Sequence, residues 1–342
     1  MLPVSVIIPA KNEAHNIGRL LESLFAQTKP PAEVIVVDAG STDETAQIAA
    51  SYGARVLRVD RAYPGQARNI GVMHAKHDII AFWDAGMYLE RDTLEKLSAP
   101  LLADEADWCS GELKIKPQTF AASLYFLLLN APYTHRLDNH TTVYIPPVAC
   151  AAFKKILWEK VQGFRPWRAR EDGDFRQRVE ALSPRIHLIP EAITYWTPDD
   201  TWLQLFRKAR IYARHNLLSG SPKDWYGSLV KIYGSYAALA LIATLFRGVG
   251  VGLAVLGLTI IGGGGIRALR RIILFKSLFT ERTGKNAFSP QVVLGTWGLL
   301  LLTDIASFLG GLDWLLLDKM GLSPERFPEP SLLEELSPTL LK

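Results

Sequence analysis

The sequence predicts an α/β domain, a mostly parallel sheet with helices on both faces, followed by transmembrane or interfacial helices at the C-terminal end. Three observations carry that expectation. The first hundred residues alternate short β-branched runs with helical periodicity; polar, glycine-containing loops follow those runs; and residues 232–266 hold a single charge, Arg247. Repeated βα units bury both faces of a parallel sheet.

Residues 4–8 (Val-Ser-Val-Ile-Ile) form the first strand and end at Pro9. Ile17, Leu20, Leu21, Leu24 and Phe25 follow at helical spacing, with Asn16 near the cap. Residues 34–37 are the second strand. Ser41-Thr42-Asp43-Glu44 then has capping-box spacing ahead of Thr45, Ile48, Ala49 and Tyr52. Residues 56–59 and 79–83 are further strands, with a helix over 67–75 between them.

The 342 residues are enough for about two domains. A net charge of +4 is too small a surplus for a protein that grips nucleic-acid phosphates. With 49% apolar and 21% charged residues, the chain is neither disordered nor fibrous. Cys109 and Cys150 lack metal-ligand spacing and make a disulfide framework improbable. The opening residues have no basic stretch of the kind that begins a secretory signal, so the N-terminal part is expected in the cytosol.

The expected divisions are 1–200 for the α/β domain, 201–228 for basic amphipathic helices, 229–317 for two or three spans, and 318–342 for a proline-containing tail. Candidate spans are 229–246, 248–266 and 291–312, the last provided that Asp304 faces protein or water. Arg267, Arg270, Arg271, Lys276, Arg282 and Lys285, against Glu281 alone, mark 267–290 as a basic cytosolic loop. Residues 202–215 combine an apolar stripe (Phe206, Ala209, Ala213) with Arg207, Lys208, Arg210 and Arg214, a pattern that seats a helix on a membrane surface. The segment 116–147 is either a cover for an acceptor cleft or an ordinary buried helix and loop. His135, Asp138 and His140 fall within it at a spacing that is common in loops.

In open α/β sheets, ligands bind beyond the carboxyl ends of the strands. Those ends read Pro9-Ala10-Lys11-Asn12-Glu13, Asp38-Ala39-Gly40-Ser41 and Asp84-Ala85-Gly86. Ionised carboxylates only accept hydrogen bonds, which suits base N–H and ribose hydroxyl groups. Glycine allows backbone to approach a ligand.

These stretches resemble the N-terminal signature of glycosyltransferase family 2. So do Ala67-Arg68-Asn69-Ile70-Gly71, Gln162-Gly163-Phe164 and Arg170-Glu171-Asp172-Gly173-Asp174-Phe175. The resemblance covers about residues 3–215. It implies a GT-A fold, a nucleoside-diphosphate-sugar donor of the UDP or GDP type, and inverting transfer. By position it gives Pro9, Ala10, Lys11, Asn12, Glu13, Asp38, Gly40, Arg68, Asp84, Ala85 and Glu171 to the donor and makes Asp172 the catalytic base. The apolar C-terminal third resembles lipid-linked members, which implies a lipid or lipid-linked saccharide acceptor at the cytosolic face of the cell membrane.

Two departures matter. Gly86 stands where the family's Asp-x-Asp motif has its second acid, so a magnesium or manganese ion would rest on Asp84 alone. Otherwise Arg170, Arg207 or Arg210 would neutralise the diphosphate. The family's Gln-x-x-Arg-Trp motif is missing, which argues against a cellulose-type processive synthase. Gly86 also motivates the alternative of an inactive membrane scaffold or regulatory partner. The number of subunits is not legible.

Overall fold

The computed structural model describes residues 1–129, 148–220 and 222–322. They fall into two compact units. One takes in Met1–Ile115 with the described part of 135–197; the other takes in the described parts of 116–134 and 198–326.

The first unit opens with β1 (Leu2–Ala10), α1 (Ile17–Phe25), β2 (Pro31–Asp38), α2 (Thr45–Ser51) and β3 (Arg55–Arg58). It continues through α3 (Pro64–His74), β4 (Ile79–Phe82), β5 (Met87–Leu89), α4 (Thr93–Leu102) and β6 (Trp108–Ile115). Helix α5 (Phe120–Leu124), extended by a π-helical turn over Tyr125–Leu129, belongs to the second unit. The chain returns to the first with β7 (Ala151–Lys154), α6 (Lys155–Lys160), α7 (Glu171–Glu180) and β8 (Ile186–Trp196). Helices α8 (Trp202–Leu218), α9 (Pro222–Arg247), α10 (Val249–Thr283) and α11 (Pro290–Asp313) complete the second.

The sheet order is β3-β2-β1-β4-β7-β6-β8-β5. Strands β3, β2, β1 and β4 are parallel, as the βα repeats require. Beyond β4 the sheet is mixed: β7 runs antiparallel to β4 and β6, and β5 antiparallel to β8. Ile7, Ile35, Val37, Ile80 and Phe82 share one core with Val72 of α3, Leu157 of α6 and Phe175 of α7. Their neighbours Val6, Ile8, Val36 and Ala81 point to the opposite face and are equally buried. Burial on both faces is why these strands read as unbroken apolar runs.

In the second unit, α9 and α10 meet at Gly248, where the backbone turns with φ of 87°. Helix α10 is unbroken for 35 residues, about 52 Å at 1.5 Å per residue, against about 30 Å of hydrocarbon in a bilayer. The stretch 267–283, expected as a loop, is therefore the end of this helix. Its glycines, Gly262–Gly265 among them, do not interrupt it; glycine is common in membrane helices. Trp225–Arg247, Val249–Thr283 and Pro290–Lys319 are all long and apolar enough to cross a membrane.

Asp304 of α11 is buried. It accepts a hydrogen bond from the Tyr233 hydroxyl at 2.7 Å and pairs with Arg267. The condition attached to the third span is thus met: this carboxylate faces protein. Residues 202–215 are helical as expected, but three of their four cations are engaged. Arg210 forms a two-pronged pair with Asp313 and Arg214 one with Asp318, while Lys208 pairs with Asp200. His135, Asp138, His140 and the tail 323–342 lie outside the described residues.

Candidate functional site

Strands β1 and β2 end side by side, with Ala10 opposite Asp38. The loops that follow are stitched together. Asn12, in the left-handed region with φ of 55°, accepts from the Thr42 N–H at 2.9 Å and donates its own N–H to Ser41 Oγ at 2.9 Å. The Glu13 N–H donates to Thr45 Oγ1, and the Ala14 N–H to Asp43. Pro9 and Glu13 are half-buried, Ala10 is buried, and Lys11 and Asn12 are exposed.

Asp38 is buried at the rim of this platform, and its Oδ1 accepts from the Ser41 N–H at 3.1 Å. Arg58 lies 3.9 Å from the other oxygen. Gly40 makes the turn with φ of 74°, and a Cβ there would sit 2.2 Å from the Asp60 carbonyl oxygen. Only glycine fits at this corner.

Asp84 and Ala85 follow β4, on the other side of β1 from β2. The Asp84 side chain is 43% exposed. Its Oδ1 accepts from Arg68 Nη2 at 3.0 Å. The other end of the same guanidinium, Nη1, donates to Glu171 Oε1 at 2.7 Å. Arg68 and Glu171 are both buried. Glu171 opens α7 after Arg170, which caps that helix in the left-handed region with φ of 72°. Asp172 is next, half-buried, its Oδ1 accepting from the Gly173 N–H at 2.7 Å.

Arg68 thus brings together Asp84 and the acidic turn, residues that lie far apart along the chain. Burial lowers the proton affinity of Arg68, but the charges of Asp84, Glu171 and Asp172 more than reverse this and hold it firmly cationic. Burial pushes the Glu171 carboxyl up, Asp172 adds to the push, and Arg68 opposes it, leaving the group at about 7. Both groups are shifted upward: three acids outweigh burial at Arg68, while at Glu171 burial and Asp172 outweigh the one cation that faces it.

Among the other sequence candidates, Arg170 stands beside the acidic turn. Arg207 and Arg210 belong to the second unit, where Arg207 is exposed and Arg210 is held by Asp313. A divalent ion has a limited donor set. Among the described residues no group of three or more His, Cys, Asp and Glu side chains converges, and Arg68 already occupies one Asp84 oxygen. A Cβ on Gly86 would meet nothing closer than Trp196 Nε1 at 3.6 Å, so packing at this position tolerates a side chain's first carbon. What remains is one carboxylate oxygen, which suits an ion held chiefly by substrate phosphates.

Sequence reasoning did not single out Asn69, Trp158 or Phe164 individually. The buried Asn69 carboxamide accepts from Trp158 Nε1 and the Phe164 N–H and donates to the Phe164 carbonyl. The signal was in the landmark stretches 67–71 and 162–164, which contain Asn69 and Phe164, read there as labels rather than as partners.

Comparison with known proteins bears on family and fold. Residues 5–159 match the family model for Glycosyl transferase family 2. The 4,4'-diaponeurosporenoate glycosyltransferase of Staphylococcus aureus strain USA300 is 45% identical over 101 residues, 28% of this chain and 27% of that relative. The match thus spans about a quarter of the curated relative's length. The mannosyltransferase PcManGT from Pyrobaculum calidifontis, solved with GDP-Man and Mn2+, aligns with a TM-score of 0.53 at 19% identity, over 92% of this chain and 87% of that one. That likeness concerns the fold. Residues 5–159 are a glycosyltransferase family 2 domain, in a chain whose mixed α/β sheet is of the GT-A type.

Proposed function

We propose that this protein transfers a sugar from a nucleoside-diphosphate sugar, of the UDP or GDP type, to a lipid or lipid-linked saccharide. Transfer inverts the anomeric centre and takes place at the cytosolic face of the cell membrane. The observation that carries this reading is the Arg68 bridge, which joins Asp84 at the end of β4 to the turn bearing Asp172. Asp38, at the end of β2, receives the nucleoside: its Oδ2 accepts from base or ribose donors.

Asp172 accepts the proton of the acceptor hydroxyl as that oxygen attacks the anomeric carbon; the bond to the diphosphate breaks, and the nucleoside diphosphate leaves with the electron pair. Positive charge beside the departing diphosphate lowers the barrier; Arg170, at the start of α7, and exposed Lys11, after β1, are cations that can supply it. A magnesium or manganese ion, where one is bound, adds charge neutralisation at the phosphates, and Asp84 would hold it. The Mn2+ and GDP-Man of PcManGT support both donor and ion, and the relative named for diaponeurosporenoate supports an apolar acceptor. Three long apolar helices support residence in the membrane.

The test is release of UDP or GDP from a panel of nucleotide sugars by the detergent-purified chain, supplied with membrane lipid extract. Asp172→Asn is expected to lower turnover by about 10²–10⁴-fold, the range for a lost general base. Wild-type protein that turns over no sugar supports an inactive scaffold instead.

A further inference from the structure

One face of α3 presents Gly65, Arg68 and Asn69, at the i, i+3 and i+4 spacing that makes neighbours on a helix. All three meet the segment that runs from Trp158 to Glu171. A Cβ on Gly65 would lie 2.5 Å from the Arg165 carbonyl oxygen and 3.0 Å from Glu171 Cγ, so helix and segment approach backbone to backbone. Asn69 makes bonds of 2.9, 2.8 and 2.9 Å to Trp158 Nε1, the Phe164 N–H and the Phe164 carbonyl. Arg68 closes the contact on Glu171 and turns its other edge to Asp84.

Apolar side chains of similar volume would hold such a contact together at least as well as a buried ion pair does. What polar groups add is direction. Three bonds on one carboxamide fix the Trp158–Phe164 turn in both position and rotation, and the guanidinium fork fixes Glu171 against Asp84. Asp172 is the residue after Glu171, so its placement is inherited.

We propose that Asn69 and Glu171 are positioning residues: acting through the 162–164 turn and Arg68, they hold the turn bearing Asp172 in register with Asp84. This rests on the transfer reading above. Both side chains are buried and already bonded within the protein, so they act through other groups rather than on the donor.

The experiment compares wild type, Glu171→Gln and Asn69→Ala as the full chain in detergent, with steady-state kinetics on the nucleotide sugar that wild type uses. Misplacement by about 1 Å costs on the order of 10²-fold in rate. Both variants should therefore lose about 10–100-fold in kcat while donor KM and the affinity for free UDP or GDP stay within about threefold. Glu171→Gln keeps the side chain's shape and answers the question even if Asn69→Ala fails to fold. A kcat within twofold of wild type in Glu171→Gln overturns the proposal. So does a loss confined to KM, which would assign Glu171 to donor binding. Wild-type protein without turnover overturns the transfer reading first and this proposal with it; wild-type turnover with indifferent variants overturns this proposal alone.

Discussion

Replacing Glu171 by glutamine measures what it costs to enclose a carboxylate in the first unit. Burial, with Asp172 adding and Arg68 opposing, lifts this group from 4.5 to about 7. The groups that face it are Arg68 from α3 and Asp172 from its own helix, with Asp84 on the far side of the guanidinium. A carboxyl raised in the folded state favours the fold when protonated. Its contribution is complete below about pH 4.5 and is lost as pH climbs through about 7. At about 1.4 kcal/mol per pH unit, that loss amounts to about 3 kcal/mol. Glutamine does not titrate, and it gives up the charge that draws the Arg68 fork onto this position. The variant should therefore gain on wild type by about 3 kcal/mol between pH 4.5 and 8, or about 6–12 °C in Tm for a unit of this size. Thermal melts of the detergent-purified chain at closely spaced pH values give the two curves. Parallel curves, or a difference that grows toward acid, would refute the argument.

Three further outcomes follow from the geometry. Asp38→Ala should weaken UDP or GDP binding about 10- to 100-fold by calorimetry, the value of hydrogen bonds to a buried charge; unchanged affinity removes Asp38 from the donor pocket. Gly86→Asp has space for its Cβ and restores the second acid, so turnover in this variant should respond more steeply to manganese than in wild type when the ion is titrated against a chelator. Asp304→Leu strands Arg267 among apolar helices and should destabilise the chain by about 3–5 kcal/mol. The double variant Asp304→Leu, Arg267→Leu should regain most of that loss in melting experiments.

The parallel half of the sheet was legible because β1, β2 and β4 are apolar runs rich in β-branched residues, each closed by a polar loop. Val4, Ile35 and Ile80 announce their own strands. The mixed half was not: β7 is Ala151–Lys154, four residues of weak strand character that take their place from β4 and β6 on either side. The sequence placed Asp38 and Asp84 at strand ends; the strand order, which sets those ends on either side of β1, comes from the sheet itself. The Arg68–Glu171 bond joins residues 103 positions apart and leaves no local periodicity. Asn69 was hidden for the same reason. The length of α10 was misjudged because its basic end reads as a loop by charge, although arginine and lysine are good helix formers.

The docking face of α3 also bears on how such chains can be recombined. The family match ends at residue 159, yet the partners of Arg68 and Asn69 reach to Phe164 and Glu171. A hybrid spliced at the edge of the recognised domain would part a lock from its key. Grafts between such chains should be cut after α7 or should import α3 as well.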